Sequence, residues 1–252
     1  MRAATVAGRS ATCTMPLLAL DGVSKRFRRG GRGGVEQAAL QDVQLEVGAG
    51  QLVTVWGRRR SGRTTLLQVA AGIERPSAGV VQFAGVDLAS RPVLGRRGGI
   101  AYAGVHFSRM IGETALDQVT APLLGGGTPA SAVQAPAYDA LLRTDALDCA
   151  HYDVDALNHD ERIRVAIARA IVTDPRLLVV DEPTRELRQA DARDRLLELL
   201  RALAGDGIAV LTTAAEVAEL AVADCALTID EGRLRGLVRP ARGEVVELHR
   251  PH

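Results

Sequence analysis

An apolar run, Leu177, Leu178, Val179 and Val180, stops at two adjacent carboxylates, Asp181 and Glu182. A short leucine and valine run of this kind suits a strand buried on both faces of a parallel sheet. The carboxyl ends of such strands are where open α/β sheets bind ligands. Upstream, Ile163, Ile167, Ala170 and Ile171 recur at helical spacing on one face, and Arg162, Arg164 and Arg169 fall away from it. Asp174 and Pro175 break that helix and lead into the strand. The order of helix, break, buried strand and carboxylate pair predicts an α/β domain with a mostly parallel core sheet.

A second constraint lies earlier in the chain. Leu52 to Trp56 reads as an apolar strand, Gly57 to Thr65 as the loop GRRRSGRTT, and Leu66, Leu67, Val69 and Ala70 as the helix that follows. Backbone N–H groups in such a loop, with a helix N-terminus behind them, form a concave site for anions. Gly57 and Gly62 stand at the spacing of the phosphate-binding G-x-x-x-x-G-K-[ST] loop, with Ser61 and Thr65 inside and beside it, and Thr64 supplies a hydroxyl for Mg²⁺. Arg63 replaces the lysine and Arg60 a glycine. A guanidinium keeps the charge but exchanges a compact ammonium for a wide fork.

At 252 residues and 47% hydrophobic, the chain suits one α/β domain carrying an inserted subdomain. The net charge of +1 gives no global attraction to nucleic acid or an anionic membrane. The arginines of the loop lack the interleaved aromatics of a nucleic-acid groove, so nucleic acid is not an expected partner. Cys13, Cys149 and Cys225 share no metal-type or disulfide-type spacing, which suits a reducing compartment. Residues 1–14 read as a disordered tail or a misassigned start.

The stretches VAIARAI and LLVVDEPT, with the phosphate loop and the strand LLALDGVSKRFRR ahead of it, resemble the ATP-binding subunits of ABC transporters, nearest in pattern to the lipoprotein-release and macrolide-export type. The resemblance spans residues 16–236, leaving an extension at 1–15 and a tail at 237–252. It implies a P-loop ABC ATPase fold: a mostly parallel core sheet, an antiparallel β subdomain, and a helical subdomain at about 106–172. It also implies ATP and Mg²⁺ as cofactors, with Phe27 stacking on adenine, Gly57, Ser61, Gly62, Arg63, Thr64, Thr65 and Asp181 holding the nucleotide, and Thr64 and Asp181 on the metal. Glu182 would position or deprotonate the attacking water. The implied partners are a separate membrane permease and a second ABC subunit, identical or different, on the cytoplasmic face of the membrane.

Several positions depart from the family pattern. Val105 stands for a glutamine, Ala214 for a histidine, and Arg188 for an aspartate in the stretch after Thr184. The signature LSGGE becomes Leu157, Asn158, His159, Asp160 and Glu161. Asn158 followed three residues later by Glu161 predicts a capping box, so this helix start is satisfied by its own side chains. A carboxylate at Asp160 about 4 Å from a phosphate would repel it by about 4 kcal/mol at an effective dielectric near 20. These departures predict impaired hydrolysis, with a nucleotide-binding pseudo-ATPase partnering another subunit as the alternative.

Overall fold

The computed structural model describes residues 15–29, 35–104 and 113–238. Val105, the glycine run at 30–34, the first 14 residues and those beyond 238 lie outside the described part. The chain begins with β1 (Leu18–Arg29), β2 (Val35–Val47), β3 (Leu52–Gly57), α1 (Arg63–Ala70), β4 (Ala78–Phe83), β5 (Val86–Asp87) and β6 (Ile100–Ala103). It continues with α2 (Ala115–Gly125), α3 (Gln134–Arg143), α4 (His159–Ile171), β7 (Leu177–Val180), α5 (Ala190–Gly205), β8 (Ala209–Ala214), β9 (Cys225–Asp230) and β10 (Arg233–Val238).

The strands form two sheets. One is antiparallel, in the order β2, β1, β4, β5; the other runs β10, β9, β3, β8, β7, β6. Within the larger sheet β3 pairs in parallel with β8 and β9, and β7 with β6 and β8, while β10 returns antiparallel along β9. The expected mostly parallel core sheet with a separate antiparallel one is therefore present. Leu237 and Val238 extend β10 opposite Leu227 and Ala226, so the strand runs past the point where the sequence offered no assignment.

All four residues of β7 are buried. Side chains alternate across a strand, so Leu177 and Val179 enter the core shared with the antiparallel sheet and α1, and Leu178 and Val180 enter the core beneath α4 and α5. A strand with two apolar sides has no polar alternation, which is why the run reads as continuous.

Helix α4 is buried more completely than one amphipathic face predicts, because Val165, Ala166 and Ala168 are also inside. Its arginines do not point into open solvent. Arg162 donates to the carbonyls of Leu157 and Val154, both at 3.1 Å, and Arg169 donates to Gly104 O and Gln118 Oε1, also at 3.1 Å. Long aliphatic stems cover the core while the guanidinium heads satisfy loop carbonyls. Desolvation of the Arg169 head pulls its pKa below the ordinary arginine value. Leu142, expected on an amphipathic piece beside the buried Leu141, is 63% exposed. Among the described residues no helix is long and apolar enough to cross a membrane.

Candidate functional site

The phosphate-type loop leaves β3 at Gly57 and enters α1 at Arg63. Gly62 is the residue before the helix, with φ at 107°, and a Cβ there would lie 2.4 Å from the carbonyl oxygen of Ala39 in β2. Gly57 is equally confined, since a Cβ would meet Ile229 O at 2.4 Å. Only glycine permits this backbone at Gly62, both for its dihedral and for the approach of β2. Arg60 takes φ 67° without that freedom. The turn between β9 and β10 closes the loop from behind: Gly232 N–H donates to Ser61 O at 2.8 Å, and Gly232 O accepts from Gln41 N–H at 2.8 Å. A Cβ on Gly232 would also strike Ala39 O, at 2.6 Å.

The turn after β7 is built as tightly. Glu182 has φ 47°, a left-handed conformation that costs a bulky residue about 1–3 kcal/mol and needs the surroundings to enforce it. Thr213 of β8 does so. Its hydroxyl accepts from Glu182 N–H at 2.6 Å and donates to Asp181 Oδ1 at 3.0 Å. The Thr64 hydroxyl, like that of Thr213, pulls the Asp181 carboxyl toward its charged form. Burial is the largest influence on Asp181 and pushes its carboxyl above the usual range, against the pull of the two hydroxyls.

Arg63 does not extend into open space. Its Nη1 donates to Ala214 O at 2.6 Å and its Nη2 to Glu182 Oε1 at 2.8 Å, with the Arg63 side chain 11% exposed. Arg185 takes the other carboxylate oxygen, Nη1 to Oε2 at 2.5 Å. Glu182 is thus shared by two guanidiniums, one from each side. A lysine has no planar fork and could not span Ala214 O and Glu182 in this way. The methyl group of Ala214 is buried against Leu220 and Ala226 with Trp56 alongside, and offers no polar atom toward the site.

A pocket of about 440 Å³ joins these parts, lined among others by Phe27, Ser61, Gly62, Arg63, Thr64 and Thr65. Glu182 and Arg185 close one side and Gln37 to Ala39 of β2 another. Phe27 is 37% exposed, with the Lys25 ammonium 5.0 Å from its ring centroid. Lys25 is held there by Glu74 at 2.7 Å. The aromatic expected to meet a base therefore faces the same cavity as the loop expected to hold phosphates.

Two features test the fit to a nucleotide. The buried hydroxyl of Ser61 has no hydrogen-bond partner, and α1 carries no acidic residue in its first turn. An orphaned polar atom beside backbone N–H groups and a helix N-terminus suits a phosphate oxygen. Thr64 and Asp181 offer only oxygen donors, the set that suits Mg²⁺ completed by waters and phosphate oxygens.

The signature segment has the predicted cap. Glu161 N–H donates to Asn158 Oδ1 at 3.0 Å, and Asn158 N–H donates to Glu161 Oε2 at 2.8 Å. The charge of Asp160 is already answered, however, because Arg164 Nη2 lies 2.8 Å from its Oδ2. The repulsion expected between Asp160 and a phosphate is reduced accordingly. His159 Nε2 lies 2.6 Å from Glu186 Oε2. Arg188 is exposed.

Sequence reasoning passed over Thr213, the carbonyl of Ala214, and Arg185 as a partner of Glu182. The available signals were weak: a Thr-Thr pair ending a buried strand, and an arginine three residues after the glutamate.

A family model described as ABC transporter matches residues 40–185. The chain is 35% identical over 226 residues to the lipoprotein-releasing system ATP-binding protein LolD of Chromohalobacter salexigens, across 86% of this chain and 92% of that protein. It is 31% identical over 212 residues to the macrolide export ATP-binding/permease protein MacB of Azoarcus sp., across 82% of this chain but only 32% of that longer protein. Among solved structures, a dimeric ATP-binding cassette, MJ0796, in a post-hydrolysis state bound to ADP and Pi superposes with TM-score 0.77 at 22% identity, covering 89% of this chain and 99% of that one. A nucleotide-free cassette from an ABC transporter gives TM-score 0.72 at 19% identity, covering 89% and 92%. The two structural likenesses speak for the fold alone. With the strand, loop and helix at Gly57–Ala70 and the family match over most of the chain, this protein belongs to the ABC transporter family, as an ATP-binding domain of the type found in LolD and MacB.

Proposed function

We propose that the chain is a nucleotide-binding subunit that docks on the cytoplasmic face of a separate membrane permease, pairs with a second ABC cassette, and hydrolyses ATP weakly or not at all by itself. The observation that carries this is the double engagement of Glu182. Each of its carboxylate oxygens accepts a bond from a guanidinium, at 2.8 Å from Arg63 and 2.5 Å from Arg185. A water-activating carboxylate needs an oxygen available to the water, and here an arginine must first let go.

The roles follow from the pocket. Phe27 takes the adenine, and the loop from Gly57 to Thr65, with Ser61 and Gly62 at its centre, takes the phosphates. Thr64 and Asp181 hold Mg²⁺, which when bound supplies charge neutralisation at the phosphates. Glu182 is the retained candidate for handling water. The ATP-binding domain covers residues 16–236, with the helical subdomain from about 106 to 172.

The missing γ-phosphate groups work in the same direction. Ala214 presents a buried methyl group, and the N-terminus of α4 is capped by Asn158 and Glu161. Loss of a single preorganised group from a charge-stabilising site lowers rates by about 10²–10³. A second reading, a regulatory pseudo-ATPase beside an intact partner, is favoured by that capping box, since the Glu161 N–H already has its acceptor in the Asn158 side chain.

Phosphate release at saturating Mg·ATP tests the proposal. Wild type and Arg63→Lys are expected at background. Turnover should need Ala214→His with His159→Gly and Asp160→Gly, and probing with Glu182→Gln should then abolish it. Wild-type turnover that is lost in Glu182→Gln overturns the proposal.

A further inference from the structure

Lys25 is the only lysine of the chain, and its side chain is just 13% exposed. Its ammonium donates to Glu74 Oε2 at 2.7 Å and to Arg75 O at 2.8 Å, and it lies 5.0 Å from the centroid of the Phe27 ring. Two of its three N–H donors are thus fixed by the turn that follows α1, and the charge they hold in place meets the π face of the aromatic. Phe27 lines the pocket and Lys25 does not. The ammonium and the cavity therefore approach the ring from different sides.

The ring stands where the sheet itself gives little support. β1 pairs with β4 as far as Ser24, opposite Ala78, and its register against β2 shifts between Lys25 and Arg26. Phe27 thus lies on the part of β1 that has β2 alone as a neighbour, and a two-stranded ribbon is marginal by itself. The turn at 74–77 takes over where β4 stops. Ser77 N–H donates to Ser24 O at 2.8 Å and Arg26 N–H donates to Ser77 Oγ at 3.1 Å, with the two Lys25 bonds between them. That turn is carried by α1, since the Ile73 and Glu74 N–H groups donate to Gln68 O at 2.9 and 3.1 Å. The helix that opens at the phosphate loop therefore holds, at its far end, the aromatic expected to meet the base.

We propose that Lys25, anchored by Glu74, is a positioning residue for the base: it fixes the Phe27 ring as a preformed stacking platform, so that the base share of nucleotide affinity depends on it and the phosphate share does not. The inference rests on the reading of this pocket as a nucleotide site with Phe27 at the adenine. A ring already held in place loses less freedom when a ligand binds. A cation on one side of the ring also draws π density away from the other, which suits an electron-rich purine stacked there.

Isothermal titration of the full chain with Mg·ATP and with Mg·tripolyphosphate, which has the phosphates and no base, tests this. Wild type is expected to bind both, ATP the more tightly. Lys25→Met keeps an unbranched stem and removes the charge; it is expected to weaken ATP about fivefold, the low end of what base stacking contributes, and to leave tripolyphosphate within about twofold. Lys25→Arg is expected to keep most of the ATP affinity, since a guanidinium can also meet a carboxylate and a ring together. Glu74→Gln, which loosens the anchor and leaves the ammonium, is expected to weaken ATP less than Lys25→Met does, again without affecting tripolyphosphate. In a Phe27→Leu background there is no ring to place, and Lys25→Met is expected to change ATP binding no further. ATP binding indifferent to Lys25→Met, a loss shared equally by tripolyphosphate, or a loss that persists without the ring overturns the positioning role and leaves the nucleotide site standing. A wild type that binds neither ligand overturns the site and the positioning role with it.

Discussion

Gly62→Ala is the substitution whose cost the structure specifies most closely. Two contributions arise. Alanine at φ 107° is strained, by about 1–3 kcal/mol. Its methyl group would also lie 2.4 Å from Ala39 O, a backbone atom that moves only if β2 moves. Overpacking of that kind costs about 1–3 kcal/mol more. Gly85→Ala separates the two terms. Gly85 has φ 78° with nothing within 4 Å of its Cβ position, so only the conformational cost of about 1–2 kcal/mol remains. Urea unfolding should therefore rank Gly62→Ala below Gly85→Ala by about 2–3 kcal/mol, with Tm lower by roughly 5–10 °C for a chain of this size. Titration with ATP should find binding abolished in the first variant and unchanged in the second. Equal losses of stability, or nucleotide binding that survives Gly62→Ala, would show that β2 does not press on the loop as described.

Asn158→Ala removes the acceptor that caps α4 and should lower stability by about 1 kcal/mol, read as a Tm drop of roughly 2–4 °C; no change would mean that the helix end is satisfied in another way. Asp117, in the capping box of α2, is held below its ordinary value of 3.8 by bonds from the Thr114 hydroxyl and N–H. A depressed folded pKa contributes stability above the unfolded value that is lost as pH falls through the folded one. The stability gap between wild type and Asp117→Asn should therefore be full at neutral pH and close below about pH 4, and urea midpoints across that range check the sign.

What the sequence disclosed was local. The capping box at Asn158 and Glu161 spans one helical turn, and the phosphate loop is a contiguous stretch between a strand and a helix, so spacing alone carries both. The four buried residues of β7 were legible because both faces of that strand are apolar. The Arg63 contacts were not. Its partners Glu182 and Ala214 lie 119 and 151 residues further along, and no periodicity connects them. Arg162 and Arg169 were read only as lying off the apolar face, because a polar residue on a helix is read from its head, whereas burial here follows the stem. Asp160 looked like a free negative charge because its partner Arg164, one turn on, was counted only as a residue pointing away from the core.

Gly232 lies in the turn that joins the last two strands of the larger sheet, and it bonds at once to Ser61 and to Gln41. During synthesis the loop residues leave the ribosome long before this turn does. Until then the Ser61 carbonyl lacks its Gly232 partner, Gln41 N–H lacks its acceptor, and β3 lacks β9 beside it. A chain halted before residue 225 would carry every residue of the phosphate loop without the pairing of β9 to β3 and without the Gly232 bonds behind Ser61. The Ser61 carbonyl therefore gains its Gly232 partner only once the last turn of the larger sheet has been made.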